Sequence, residues 1–170
     1  MAIAEESPPP AGEPIFSDAD DVATLWVKAY QGEVFGQALF EGIADLVDDD
    51  ERARKLRVLG TLERRTKEQV APAVARAGVS TDPDPDQLAL AEALAPGLAA
   101  DWEQLMASVG PVTDQFLPLY ARIGELDPGE SAAAAVLVAH EEALAAFARA
   151  ELAGDGAHSL DAVAALPHMR

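Results

Sequence analysis

The chain has 170 residues, 49% of them hydrophobic, which suits one domain with a real core and excludes a fully disordered chain. Twelve Lys+Arg against thirty Asp+Glu leave a formal charge of −18, which repels phosphate backbones and anionic membranes over most of the surface and disfavours nucleic acid as a partner. There is no cysteine, and so no disulfide, thiolate nucleophile or cysteine-based metal site.

Residues 1–16, MAIAEESPPPAGEPIF, have no basic start and no apolar stretch of signal-peptide length, and three consecutive prolines end any helix there. This segment reads as a disordered tail, and with no targeting signal a cytoplasmic location is the default. Charges interrupt every apolar run before the roughly 20 residues that cross a bilayer, so no membrane span is expected.

The periodicity predicts four long helices and almost no strand. The first opens at Ser17 or Asp18, with Phe16 as a hydrophobic staple, and runs to about Val47. Its inward seam is Val22, Trp26, Ala29, Glu33, Gly36, Phe40, Ile43 and Val47, a bundle seam with one acidic interruption. Gly32, Gly36 and Gly42 lie inside this helix, at a spacing that suits close approach of a neighbouring helix or room for a bulky ligand beside Glu33. The second helix follows the acids of residues 48–51 and ends before Gly78, with a kink expected at Pro72. Its seam is Leu56, Leu59, Glu63, Thr66, Val70 and Ala73, again broken by one glutamate. Eight of the twelve basic residues lie between Arg52 and Arg76, a solvated basic face or a subunit contact.

The Asp/Pro-rich stretch 79–87 ends any helix, and a short helix from about Asp86 to Ala95 is predicted to break at Pro96-Gly97. The third long helix starts near Asp101, with Trp102, Leu105 and Val109 inward, is disturbed at Gly110-Pro111 and resumes through Phe116, Tyr120 and Ile123. A tight turn at residues 126–131 leads into the fourth, Ser131 to Ala153, with Ala133, Leu137, His140, Leu144 and Phe147 inward. Residues 155–170 form a tail that covers one end of the bundle, and its His158 and His168 read as exposed. The fold class is therefore all-α: an antiparallel four-helix bundle over 17–154, with a long 2–3 crossover carrying a short extra helix.

The short connection makes the first two helices antiparallel neighbours. Counted from a turn centred near Asp48, Glu33 and Glu63 each lie about 22 Å along their own helix at ~1.5 Å per residue, so they face each other at one level. The same count from Pro128 places His140 opposite Phe116 and Glu141 opposite Gln115, with Thr113 and Asp114 within a turn. Buried carboxylates at one level need a partner, and two of them push one pKa upward unless a cation lies between. The candidates for that partner are His140, Tyr30, Tyr120, an arginine reaching back from the second helix, or a metal ion.

Glutamates on the first two helices, a long crossover and a His-Glu pair on the fourth resemble the ferritin-like superfamily. In its metal-loaded members one glutamate comes from each of two helices and a Glu-x-x-His from each of the others. The resemblance implies metal ligands at Glu33, Glu63, Glu141 and His140, with iron or another divalent metal as cofactor and oxygen activation or iron storage as the chemistry. It departs from the pattern at Thr66 and Leu144, which stand where histidines are expected, and a single metal, or none, suits that set better than two. Tyr30 and Tyr120 would line the cofactor site, Tyr30 as a hydrogen-bond donor or electron relay beside Glu33.

Plainer readings stand beside these. Glu33 and Glu63 can be a structural polar pair, His140 a hydrogen-bonded core histidine, Tyr30 a core aromatic that satisfies Glu33, and Glu141 an edge residue reaching solvent. No phosphate loop, nucleophile elbow or Ser-His-Asp order appears, so no catalytic residue or small-molecule substrate is assigned. The alternative function is a metal-free bundle acting as an interaction or assembly module, its basic second helix and acidic remainder supporting a homo-oligomer.

Overall fold

The structure, a computed structural model, describes residues 15–170. The tail expected over 1–16 lies outside the described residues apart from Ile15 and Phe16, which pack at the edge of the core. Six α-helices follow: α1 (Val22–Ala44), α2 (Asp50–Arg76), α3 (Pro85–Ala99), α4 (Trp102–Leu126), α5 (Ser131–Leu152) and α6 (Asp161–Ala165). Short 3-10 turns occupy Pro128–Glu130 and Pro167–Met169, and there is no strand among the described residues.

The helix ends have local causes. α1 starts later than Ser17 because Ser17 to Asp20 close a turn of their own, in which the Ser17 N–H donates to Asp20 Oδ2 and the Ala19 N–H to Ser17 Oγ. Asp21 then caps the helix by accepting from the Thr24 N–H at 2.8 Å. Asp49 caps α2 the same way through Arg52, and Asp50 and Glu51 in the first turn suit the helix dipole. Gly78 ends α2 with a positive φ of 76°, which lets the Val79 N–H return to the Val74 carbonyl.

Two expected interruptions are absent. α3 runs through Pro96-Gly97 to Ala99, and α4 is one helix through Gly110-Pro111 and again through Pro118. A proline removes one helical hydrogen bond and crowds the carbonyl four residues back. Pro96, Pro111 and Pro118 all lie on exposed faces, where water can take up the freed carbonyl. α2 likewise continues past Pro72 to Arg76.

α1 packs along α2 and α4 along α5, each pair joined by a connection too short for anything but a reversal of direction. α2 also packs on α5 and α1 on α4, while α3 lies mainly against α1 and α6 against α5. Two apolar clusters result. One gathers Leu25, Trp26, Val70, Leu119, Ile123 and Leu137; the other gathers Phe40, Ile43, Leu56, Leu59, Leu105 and Phe147. In sequence register, Glu63, Thr66, His140 and Glu141 fall between them, and Glu33 lies at their boundary beside Val34.

The core is stapled at one end by a buried ion pair. Lys55 Nζ lies 2.5 Å from Glu151 Oε1 and also donates to the Gly156 carbonyl, while the Trp102 indole donates to Glu151 Oε2 at 3.2 Å. Burial opposes the Glu151 charge, but Lys55, Ser159 and Trp102 outweigh it and hold the carboxyl below its ordinary range. The basic second helix is largely paired within the chain: Arg54 with Glu51, Arg57 with Asp45, Arg64 with Glu68 and Arg76 with Glu130.

By length and mean hydropathy, Pro128–Leu152 is apolar enough to cross a membrane, although Glu141 and Glu142 interrupt its apolar run, in line with the expectation. Half of its most apolar stretch is buried inside the protein, and it carries His140 and Glu141 on a buried face, which is the pattern of a core helix.

Candidate metal centre

The seam that places Glu33 inward on α1 and Glu63 inward on α2 brings both to one level, as the count from the turn predicts. Glu33, Glu63, His140 and Glu141 are each 5% exposed or less. His140 Nε2 stands 3.6 Å from Glu33 Oε2 and 3.5 Å from Glu63 Oε2. Glu141 does not reach solvent: it turns inward, and Glu33, His140 and Glu141 each offer a donor atom within 4.8 Å of the others. Adjacent residues on one helix both enter the site because the site lies between α5's two neighbours, and roughly 100° of helical rotation separates their side chains.

Close approach at this level depends on small residues of α1. A Cβ on Gly36 would fall 2.6 to 2.8 Å from the Glu63 carboxyl carbon and oxygens, so the glycine leaves the space that Glu63 fills. Gly32 does the same for the Phe116 ring, 2.8 Å from the corresponding point, and Gly42 faces Ala95 of α3.

The surrounding hydroxyls complete the site. Tyr120, buried on α4, sits between two carboxylates, with its hydroxyl 3.4 Å from Glu33 Oε1 and 3.3 Å from Glu141 Oε1. Its one proton can serve either oxygen, and both contacts are long for O–H···O bonds. Tyr30 is elsewhere: it is buried with the Trp26 cluster, and the groups acting on its hydroxyl are Thr81 and Asp82. On α4, Asp114 and Glu103 are exposed, Gln115 is half-buried, and buried Thr113 spends its hydroxyl on the Gly110 carbonyl.

Thr66, where the resemblance expects a metal-binding histidine, instead holds one in place. Its hydroxyl is 2.9 Å from His140 Nδ1 and 3.1 Å from His168 Nε2. His168, expected to be exposed, is therefore half-buried and tied to the site through one threonine, whereas His158 is exposed and pairs with Asp155. Thr66 has one proton to give. If it donates to His168 and accepts from His140 Nδ1, the Nε2 lone pair of His140 faces the two glutamates, and a proton or a cation must lie between them.

Electrostatics sharpen that requirement. Burial first, then the charge of Glu63, raises the Glu33 pKa well above the ordinary range, against the opposing pull of His140. Burial likewise raises Glu63 to about 8, even though Glu33 and the more distant Lys67 work the other way, and raises Glu141 to about 8. The cation acting on Glu63 is thus Lys67 of α2, not an arginine. Tyr120 is held well above its usual value by burial and then by the three carboxylates, so it remains a hydrogen donor. Among the described residues, Glu33 Oε2 is buried and accepts no hydrogen bond; only a proton shared with Glu63 or carried by His140 would satisfy it from within the cluster.

This donor set suits a divalent ion. Two donors about 2.1 Å from one tetrahedral ion lie ~3.4 Å apart, close to the observed His140–Glu33 and His140–Glu63 separations. Several carboxylates with one imidazole favour iron, manganese or zinc over soft, thiolate-seeking metals. Comparison with protein-family models, with curated proteins and with solved structures finds no match to this chain.

Proposed function

We propose that the chain is a four-helix bundle of ferritin-like layout, with α1, α2, α4 and α5 as the bundle and α3 on the long crossover. Its mid-core cluster holds one divalent metal ion, iron or a close relative. The packing of α1 on α2, α2 on α5, α5 on α4 and α4 on α1 supports the layout. One observation carries the metal reading: Glu33, Glu63 and His140 converge at near-ligand spacing while buried Glu33 Oε2 has no partner.

Glu33, His140 and Glu141 would hold the ion, and Glu63 would either join them or retain the proton it shares with Glu33. When bound, iron would supply redox chemistry with dioxygen or a nucleus for storage. The chain's own residues prepare the site in three ways. Thr66 holds the His140 ring through Nδ1, Tyr120 supplies a proton between Glu33 and Glu141, and apolar walls leave water beside the site few partners.

The rival reading is a metal-free assembly module, in which protons rather than a metal compensate the carboxylates. The upward shifts of Glu63 and Glu141 favour that protonated state when no cation is supplied. Elemental analysis of protein purified without chelator, followed by iron uptake under air, separates the two. Bound iron, manganese or zinc supports the first reading; none of these, together with no uptake, sinks it.

A further inference from the structure

A cavity of about 480 Å³ opens beside the cluster, floored by α1 and walled by α3 and α4. At roughly 30 Å³ per water it has the volume of about sixteen waters, yet its walls offer them few partners. Leu98, Leu105, Val109 and Phe116 line it, and no lysine or arginine does. Five of its polar residues, Glu33, Glu63, Tyr120, His140 and Glu141, are those of the cluster, where Glu33 Oε2 lacks a hydrogen bond; of the others, Ser108 and Thr113 spend their hydroxyls on the Leu105 and Gly110 carbonyls, and Gln87 lines the cavity from α3.

The mouth is apolar as well. Leu90 and Leu94 of α3 and Val112 of α4 line the cavity, yet they are 47%, 43% and 48% exposed. α3 buries only Ala91 and Ala95, both small; Leu90 and Leu94 stay at this rim, while Leu98 lines the wall and packs against the core. A concave apolar wall with a few convergent polar atoms at one end is the form of a small-molecule site.

We propose that this cavity binds a neutral, mostly hydrocarbon molecule whose single hydroxyl or N–H group donates to Glu33 Oε2. The absence of a lysine or arginine in the lining disfavours anionic headgroups, and one oxygen without a hydrogen bond does not repay the desolvation of an ammonium that carries three donors. The hydrocarbon frame is selected because it replaces poorly partnered water along the leucine and valine walls. The inference does not depend on a bound metal and is tested on protein held in chelator, so its failure and that of the metal reading are separable.

The probe is N-phenylnaphthylamine, a neutral aromatic amine whose emission rises in apolar surroundings, with decanol, decanoate and decylammonium as competitors. The expected result is saturable one-to-one binding, displacement by decanol, and weaker displacement by the two charged chains. Val109→Trp, which fills the cavity, is expected to weaken probe binding by about tenfold or more. Leu90→Asp, at an exposed rim position, is expected to weaken it while leaving the thermal transition in place, and it serves as the test if the tryptophan variant does not fold. No saturable binding, unchanged affinity in folded Val109→Trp or Leu90→Asp, or a charged chain competing as well as decanol would overturn the proposal.

Discussion

The carboxylate of Glu63, on α2, occupies the space that a side chain on Gly36, on α1, would need. Helix propensity alone favours alanine over glycine by ~0.5–1 kcal/mol at such a position. The Gly36→Ala variant is nevertheless expected to bind divalent metal about tenfold or more weakly, because the added methyl displaces Glu63 from His140. Calorimetric titration with Mn(II) reads the loss; unchanged affinity would show that the placement of Glu63 is immaterial.

pH should act on the metal-free protein in the opposite sense from most acidic proteins. Glu63 and Glu141 have folded pKa values raised from 4.5 to about 8, so the folded state binds their protons more tightly than the unfolded state. Their contribution to stability is complete below pH 4.5 and is lost as pH rises through about 8. Asp20, Asp21, Glu51 and Glu130, whose pKa values are lowered, work the other way, and their contribution fades as pH falls below the ordinary carboxylate range. The melting temperature in chelator should therefore peak near pH 5 and fall toward pH 8.5, whereas metal should bind more tightly as pH rises because it displaces those protons. A melting temperature that climbs from pH 5 to 8.5 in chelator would contradict the assignment.

How much of this centre can be read from the sequence differs residue by residue. Glu33 and Glu63 follow from the fixed helical rise and one short connection, and His140 from its place on an apolar seam. Tyr120 and Tyr30 could not be ranked that way. Tyr30 is one turn from Glu33 in sequence, but helical side chains lean toward the N-terminus and carry its hydroxyl toward Thr81. Tyr120 arrives from α4, whose rotation depends on packing across the core. The amphipathic turn at residues 159–166 shows its apolar face in the sequence, and it does pack on the core, but nothing in the pattern shows where it anchors, so His168 reads as exposed. Val163 and Leu166 bury into the core and bring His168 to Thr66. The uninterrupted α3 and α4 depend on whether a proline's freed carbonyl faces water, a property of the packed fold and not of the proline.

Thr66→Val keeps the shape of the side chain and deletes its hydroxyl, leaving His140 Nδ1 without its partner. Loss of such a supporting hydrogen bond typically costs 10–100-fold in metal affinity, so a loss of about that size is expected, with Thr66→Ser restoring most of it. If valine and threonine bind metal equally, the hydroxyl is not orienting the imidazole.

The Lys55–Glu151 staple provides a contrast. Lys55→Met leaves a buried carboxylate unpaired and should lower stability by about 3–5 kcal/mol in urea denaturation. Metal affinity of the folded variant should stay within about twofold of the parent, since Lys55 and the cluster lie at different levels of α2. A large metal defect at full occupancy of the folded state would indicate that the two regions are coupled.

The most direct measurement is a Co(II) titration followed in the visible region, comparing the parent with Glu33→Gln and His140→Ala. An acidic surface of net charge −18 attracts cations weakly anywhere, so site identity has to come from the variants. The expected result is one tightly held equivalent with ligand-field bands from a low-symmetry nitrogen–oxygen site, abolished or weakened about a hundredfold in each variant. No saturable equivalent in the parent, or one that survives both substitutions, would contradict a metal centre at Glu33 and His140.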